Sequence, residues 1–141
     1  MTRDVEAMTN DQSPMTNEAP NPNAKRAFDL AERTARFGEE ALRFANRLQK
    51  TCVSQPLISQ FVRSTTSIAA NYTEADEAGS HKDFLHKITI CKKEARETCL
   101  WCRMIATADP SALTQTRRLW KEAHELVLIF AAIIKKGKER A

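Results

Sequence analysis

Phe28–Lys50 reads FDLAERTARFGEEALRFANRLQK. Leu30, Phe37 and Phe44 recur in it every seven residues, and Thr34, Ala41 and Leu48 each follow four residues behind one of them. Alternating steps of four and three keep all six on one face of a helix with 3.6 residues per turn, so this stretch predicts a first helix with one core-facing stripe. The same stepping returns in Ile58, Phe61, Thr65, Ile68, Tyr72 and Ala75, which predicts a second helix from Pro56 to about Ala78. Thr51–Gln55 carries no helical pattern, and Pro56 suits a first turn, where a missing backbone N–H goes unnoticed.

Gly79 is a natural stop for that helix, and Ser80 followed by Asp83 resembles a capping box with Asp in the Glu position. A third helix then presents Phe84, Cys91, Thr98 and Ile105, alternating with Ile88, Ala95 and Cys102, and ends before Asp109-Pro110. The fourth follows Ser111, buries Leu113, Leu119, Trp120, Ala123, Leu126, Val127, Phe130 and Ile134, and stops near Gly137. Four helices of similar length with short connections predict an all-α, antiparallel up-down-up-down four-helix bundle. With 141 residues, 42% of them apolar, and only three Gly and five Pro, the chain suits one helical core. Residues 1–24, polar and bearing Pro14, Pro20 and Pro22, read as a disordered tail ahead of a bundle domain over residues 25–141.

The net charge is +4. Residues 1–23 hold Arg3 against Asp4, Glu6, Asp11 and Glu18, a net of −3, which leaves +7 on the other 118 residues. A basic folded body raises the prospect of an anionic partner. No basic start leads into an apolar run, and the longest apolar stretch, Leu126–Ile134, is far shorter than the about 20 residues of a membrane span. A cytoplasmic protein with no membrane partner and four free thiols is expected.

Cys99 and Cys102 form a CxxC, but in the middle of a helix, with Cys52, Cys91, His81, His86 and His124 scattered. Small core-filling thiols are the expectation, with no metal site and no cofactor. Glu94 and Glu97 share a helix with Lys92, Lys93 and Arg96, the spacing of a solvated, salt-bridged face, and no glycine loop for phosphate is present. No catalytic residue is assigned, and the chain is expected not to be an enzyme.

Three features remain. Ser64, Ser67, Asn71 and Glu74 form a polar stripe beside the apolar one on the second helix, either a wetted boundary or a network that meets Lys or Arg from a neighbouring helix or subunit. Leu126–Ile134 is apolar on every side, so Leu128, Ile129 and Ala132 would lie exposed unless a second chain covers them, which predicts a homo-oligomer. Up-down topology also puts the first and third connections at one end. That end gathers Arg43, Arg47, Lys50, Arg103, Arg117 and Arg118 with Asp109 as the acid of the loop, a candidate nucleic-acid surface. The opposite end mixes Lys25, Arg26, Lys82, Lys135, Lys136, Lys138 and Arg140 with Asp76, Glu77, Asp83 and Glu139.

Arg63–Ala75 (RSTTSIAANYTEA), then Ser80–Phe84 (SHKDF) and Lys92–Thr98 (KKEARET), strongly resemble the bacterial four-helix-bundle family of intervening-sequence proteins, over about residues 25–138. Members are encoded in insertions of large-subunit ribosomal RNA genes and as free-standing genes. The resemblance implies a barrel-like homopentamer with no known enzymatic activity. Related proteins accompany the reverse transcriptase of diversity-generating retroelements, where a basic pentamer binds nucleic acid and the polymerase. Trp101 stands where members commonly carry an aromatic, whereas the Cys99/Cys102 pair and the acidic tail depart from the pattern. The functional expectation is an oligomer that binds RNA or DNA through its basic surface, the alternative being a protein scaffold or adaptor, with a reverse transcriptase among the conceivable partners.

Overall fold

The computed structural model describes the backbone of residues 22–140 and the side chains of residues 30–140. Regular structure there is helical throughout: α1 Pro22–Arg47, α2 Ser54–Asp76, α3 His81–Ala108 and α4 Leu113–Glu139, with a 3-10 turn at Pro110–Ala112 before α4. The expected tail lies, up to residue 21, outside the described residues. Its last three residues belong to α1, whose start at Pro22 uses proline where no intrahelical N–H is required.

Local chemistry sets the other boundaries. The Ser54 amide donates to Thr51 Oγ1 at 3.0 Å and the Thr51 amide donates to Ser54 Oγ at 2.8 Å, a reciprocal cap. The stretch without apolar periodicity is therefore a helix cap, and α2 begins two residues ahead of Pro56. Ser80 caps α3 by accepting from the Asp83 amide at 3.1 Å. Two glycine expectations are corrected. α2 stops at Asp76, ahead of Gly79, which has no positive φ, so no left-handed glycine cap ends it. α4 runs through Gly137 to Glu139, two residues past the expected stop, and Gly137 is buried where a side chain would collide with Leu85 of α3. It permits a close approach of two helices, where a terminator was expected.

Each helix packs on its sequence neighbour, and α4 returns to α1. Cross-helix pairs give the register. Phe44 meets Phe61 edge-on at 5.8 Å between α1 and α2, Cys91 Sγ donates to Ile68 O at 3.6 Å between α3 and α2, and His81 Nε2 lies 3.0 Å from Gly137 O between α3 and α4. Residues rising along one helix meet residues falling along the next, so the bundle is antiparallel with up-down-up-down order. One continuous core contains Phe37, Phe61, Phe130, Ile68, Ile88, Ile105 and Leu126, all fully enclosed. At about 1.5–3 kcal/mol per buried side chain, this core outweighs the caps, each of which contributes about 1 kcal/mol.

The predicted core is right along α1 and α2 and errs at the margins of α3 and α4. Phe84, Trp120 and Ile134 are half-buried, and Leu113 is 41% exposed. Leu113 and Trp120 lie on the flank of α4 that borders the last turns of α3, where the two helices part into a groove.

Candidate nucleic-acid interface

Arg47 Nη2 donates to Gln115 Oε1 at 3.0 Å, which brings the end of α1 against the start of α4 and the two loops to the same end of the bundle. Arg43, Arg47, Lys50, Arg103, Arg117 and Arg118 are all exposed there. They do not form one cluster. Arg103 of α3 and Arg117 of α4 flank the α3/α4 groove, while Arg118 turns toward α1 and pairs with Glu40 at 2.8 Å. Glu40 is an acid that the loop reading omitted, because its distance in sequence hides that α1 runs back past α4. Arg43, Arg47, Lys50, Arg103 and Arg117 make no ion pair among the described residues. Asp109 is engaged locally, accepting from the Ser111 amide and hydroxyl. Five uncompensated cations thus face solvent at this end.

The polar stripe lies along the α2/α3 seam and grades from core to solvent. Ser64 is fully buried and accepts from Thr98 Oγ1 at 2.8 Å. Asn71 Nδ2 donates back to Ser67 O at 2.9 Å, and Glu74 at the exposed end pairs with Lys87 of α3 at 2.5 Å. Beside the stripe is a contact that sequence reading missed. Arg63 of α2 reaches across to Glu94 at 3.1 Å and Glu97 at 2.7 Å on α3. Hydrogen bonding to Glu97 is the largest influence and raises the Arg63 pKa above its ordinary value; desolvation, next in size, opposes it, and the fields of Glu94 and Glu97 add to the rise. Glu94 is 9% exposed, so its place on a solvated face is corrected. The signal was present, since Glu94 falls between Cys91 and Thr98 on the buried flank of α3.

The cysteines sort by burial. Cys91 and Cys102 are enclosed, and burial pushes both thiols up to about 12; Cys99 is half-buried and raised for the same reason. At neutral pH all three stay protonated, the state least suited to redox exchange or metal ligation. No group of three or more metal-ligating side chains occurs among the described residues. The scattered histidines are all exposed; His81 Nε2 lies 3.0 Å from Gly137 O and His124 stacks on Trp120 at 4.9 Å. On α4, Leu128 is 57% exposed, Ala132 is exposed and Ile129 is half-buried. No described helix is long and apolar enough to cross a membrane.

Fold and surface together define a helical-bundle protein whose polar side chains are arranged in seams and at one basic end. Residues 26–132 match the model of the 23S rRNA-intervening sequence protein family, and the chain belongs to that family. A solved structure from Bacteroides thetaiotaomicron, a protein of unknown function from the S23 ribosomal protein family, is similar in fold. It shares 24% identity with a TM-score of 0.67, over 77% of this chain and 97% of that one. A comparison with curated proteins finds no match.

Proposed function

We propose that the chain is a non-enzymatic, cytoplasmic subunit of a homo-oligomer, a pentamer on the family resemblance, that binds RNA or DNA phosphates through its basic end. The observation that carries this reading is the group of exposed cations Arg43, Arg47, Lys50, Arg103 and Arg117, none in an ion pair among the described residues, on the helix ends and loop at one end of the bundle. Rotational symmetry would repeat that set in every subunit and give one broad positive surface, and multiple phosphate contacts add in free energy. The exposed Leu128 and Ala132 favour self-association.

Fluorescence anisotropy with labelled RNA and DNA at a series of salt concentrations tests the reading. Affinity should fall steeply as salt rises, and Arg103→Ala with Arg117→Ala should flatten the slope by roughly one unit for each phosphate that is no longer neutralised. Absence of binding at low salt overturns it. The alternative of a protein scaffold, with a polymerase such as a reverse transcriptase among its partners, then takes its place and is read by nuclease-resistant co-purification.

A further inference from the structure

At the basic end the α3/α4 seam opens into a shallow groove of roughly 450 Å³, open to solvent. Cys102 and Ala106 of α3 face Leu113, Thr116 and Trp120 of α4 across it, and Arg103 and Arg117 line it from opposite helices. Leu113 is 41% exposed and Trp120 is half-exposed, so an indole and an aliphatic side chain assigned to the core by their spacing are instead open to solvent. The indole has a stacking partner on its own helix, and its backbone has a thiol donor from α3. It stacks on His124 with an interplanar angle of 10°, and Cys99 Sγ donates to the Trp120 carbonyl at 3.9 Å.

We infer that this groove takes one unpaired nucleotide of a single-stranded nucleic acid, its base against Trp120 and Leu113 and its flanking phosphates on Arg103 and Arg117. The inference rests on the basic-end reading and adds the form of nucleic acid bound. A planar apolar wall between two unpaired guanidinium forks complements a flat base joined to phosphates. In a duplex both faces of each base are stacked and cannot enter. An acidic peptide fits less well, because the walls are helices whose backbone groups are spent internally and offer no strand edge to pair with. The Thr116 hydroxyl is likewise engaged, donating to the Ala112 or Leu113 carbonyl. Stacking on an indole is open to every base, so recognition should tolerate any sequence.

The experiment uses the full chain carrying Trp101→Phe, so that Trp120 is the remaining tryptophan of two. The probes are a short oligouridylate, a duplex of equal length, and inorganic polyphosphate, which has charge and no bases. The single strand should quench Trp120 fluorescence, and polyphosphate should not. In the natural background Trp120→Ala should weaken single-strand binding about tenfold, the scale of one base stack, with duplex binding unchanged and Trp120→Phe retaining most of the affinity. Ala106→Phe, which fills the groove and leaves the indole, should show the same selective loss and guards against a Trp120 variant that misfolds. If both groove variants bind the single strand normally, or lose single strand and duplex equally, the groove is not a base site, while the basic-end reading stands. If neither nucleic acid binds at low salt, both fall, and quenching of Trp120 by an acidic aromatic copolymer in that case reassigns the groove to a protein partner.

Discussion

Thr98 shows how a buried polar side chain is kept satisfied. It is fully enclosed and has one proton to share between two acceptors, Ser64 Oγ across the seam and Glu94 O one turn back, each at 2.8 Å. Ser64 in turn donates to Phe61 O at 3.2 Å. Thr98→Val keeps the shape and removes the hydroxyl, and should cost about 1 kcal/mol in urea unfolding. In a Ser64→Ala background the cost should shrink, because the cross-seam partner is already gone, and additivity of the two changes would show that the bond contributes nothing. Cys91 provides a pH signature. Its thiol titrates near 9 in the unfolded chain and at about 12 in the fold, so its contribution to stability is complete below pH 9 and is lost as pH rises toward 12. Stability should fall by about 1.4 kcal/mol per pH unit for this proton, and Cys91→Ala should remove one proton's worth of that slope in alkaline melts. Spacing alone identified both residues as buried; their partners depended on the neighbouring helix.

The four helices were legible from periodicity, because the step of three and four residues is a property of the helix itself. The ends were less so. The α2 start was misplaced because Thr51 and Ser54 cap each other through hydroxyls, a signature without apolar content. Thr51→Ala should lower stability by about 1 kcal/mol and increase hydrogen exchange at the first turn of α2, leaving α3 and α4 unchanged. Gly137 was misread as a stop because a glycine that permits close helix contact and a glycine that ends a helix look alike in one dimension. The α1/α4 seam was hidden altogether. There Arg33 bridges Glu122 at 2.6 Å and Glu125 at 2.7 Å across a large sequence separation, and hydrogen bonding to Glu122 raises its pKa. With Arg33 about a third exposed, this pairing orients α1 more than it stabilises the bundle.

For the whole molecule, the exposed apolar positions of α4 and the cations at one end are the features on which the proposed self-association rests. Leu128→Glu should leave helicity and monomer stability within about 0.5 kcal/mol of the parent, since the side chain is mostly outside the core, and should reduce the mass in light scattering to that of a monomer. An unchanged mass would place the oligomer contact elsewhere or remove it.

What the sequence by itself determined is the number of helices, their antiparallel order and nearly all of the core, because apolar periodicity and short connections are local quantities. The family was likewise legible from the motif of α2. What only the tertiary structure decided is which charges remain free and which apolar residues remain open. Arg118 is compensated by Glu40 and Arg103 is not, Glu94 is drawn inward by Arg63, and Trp120 borders a groove. The physical reason is that net charge and burial on a helix flank depend on what the adjacent helix presents, and a single helical pattern does not encode that.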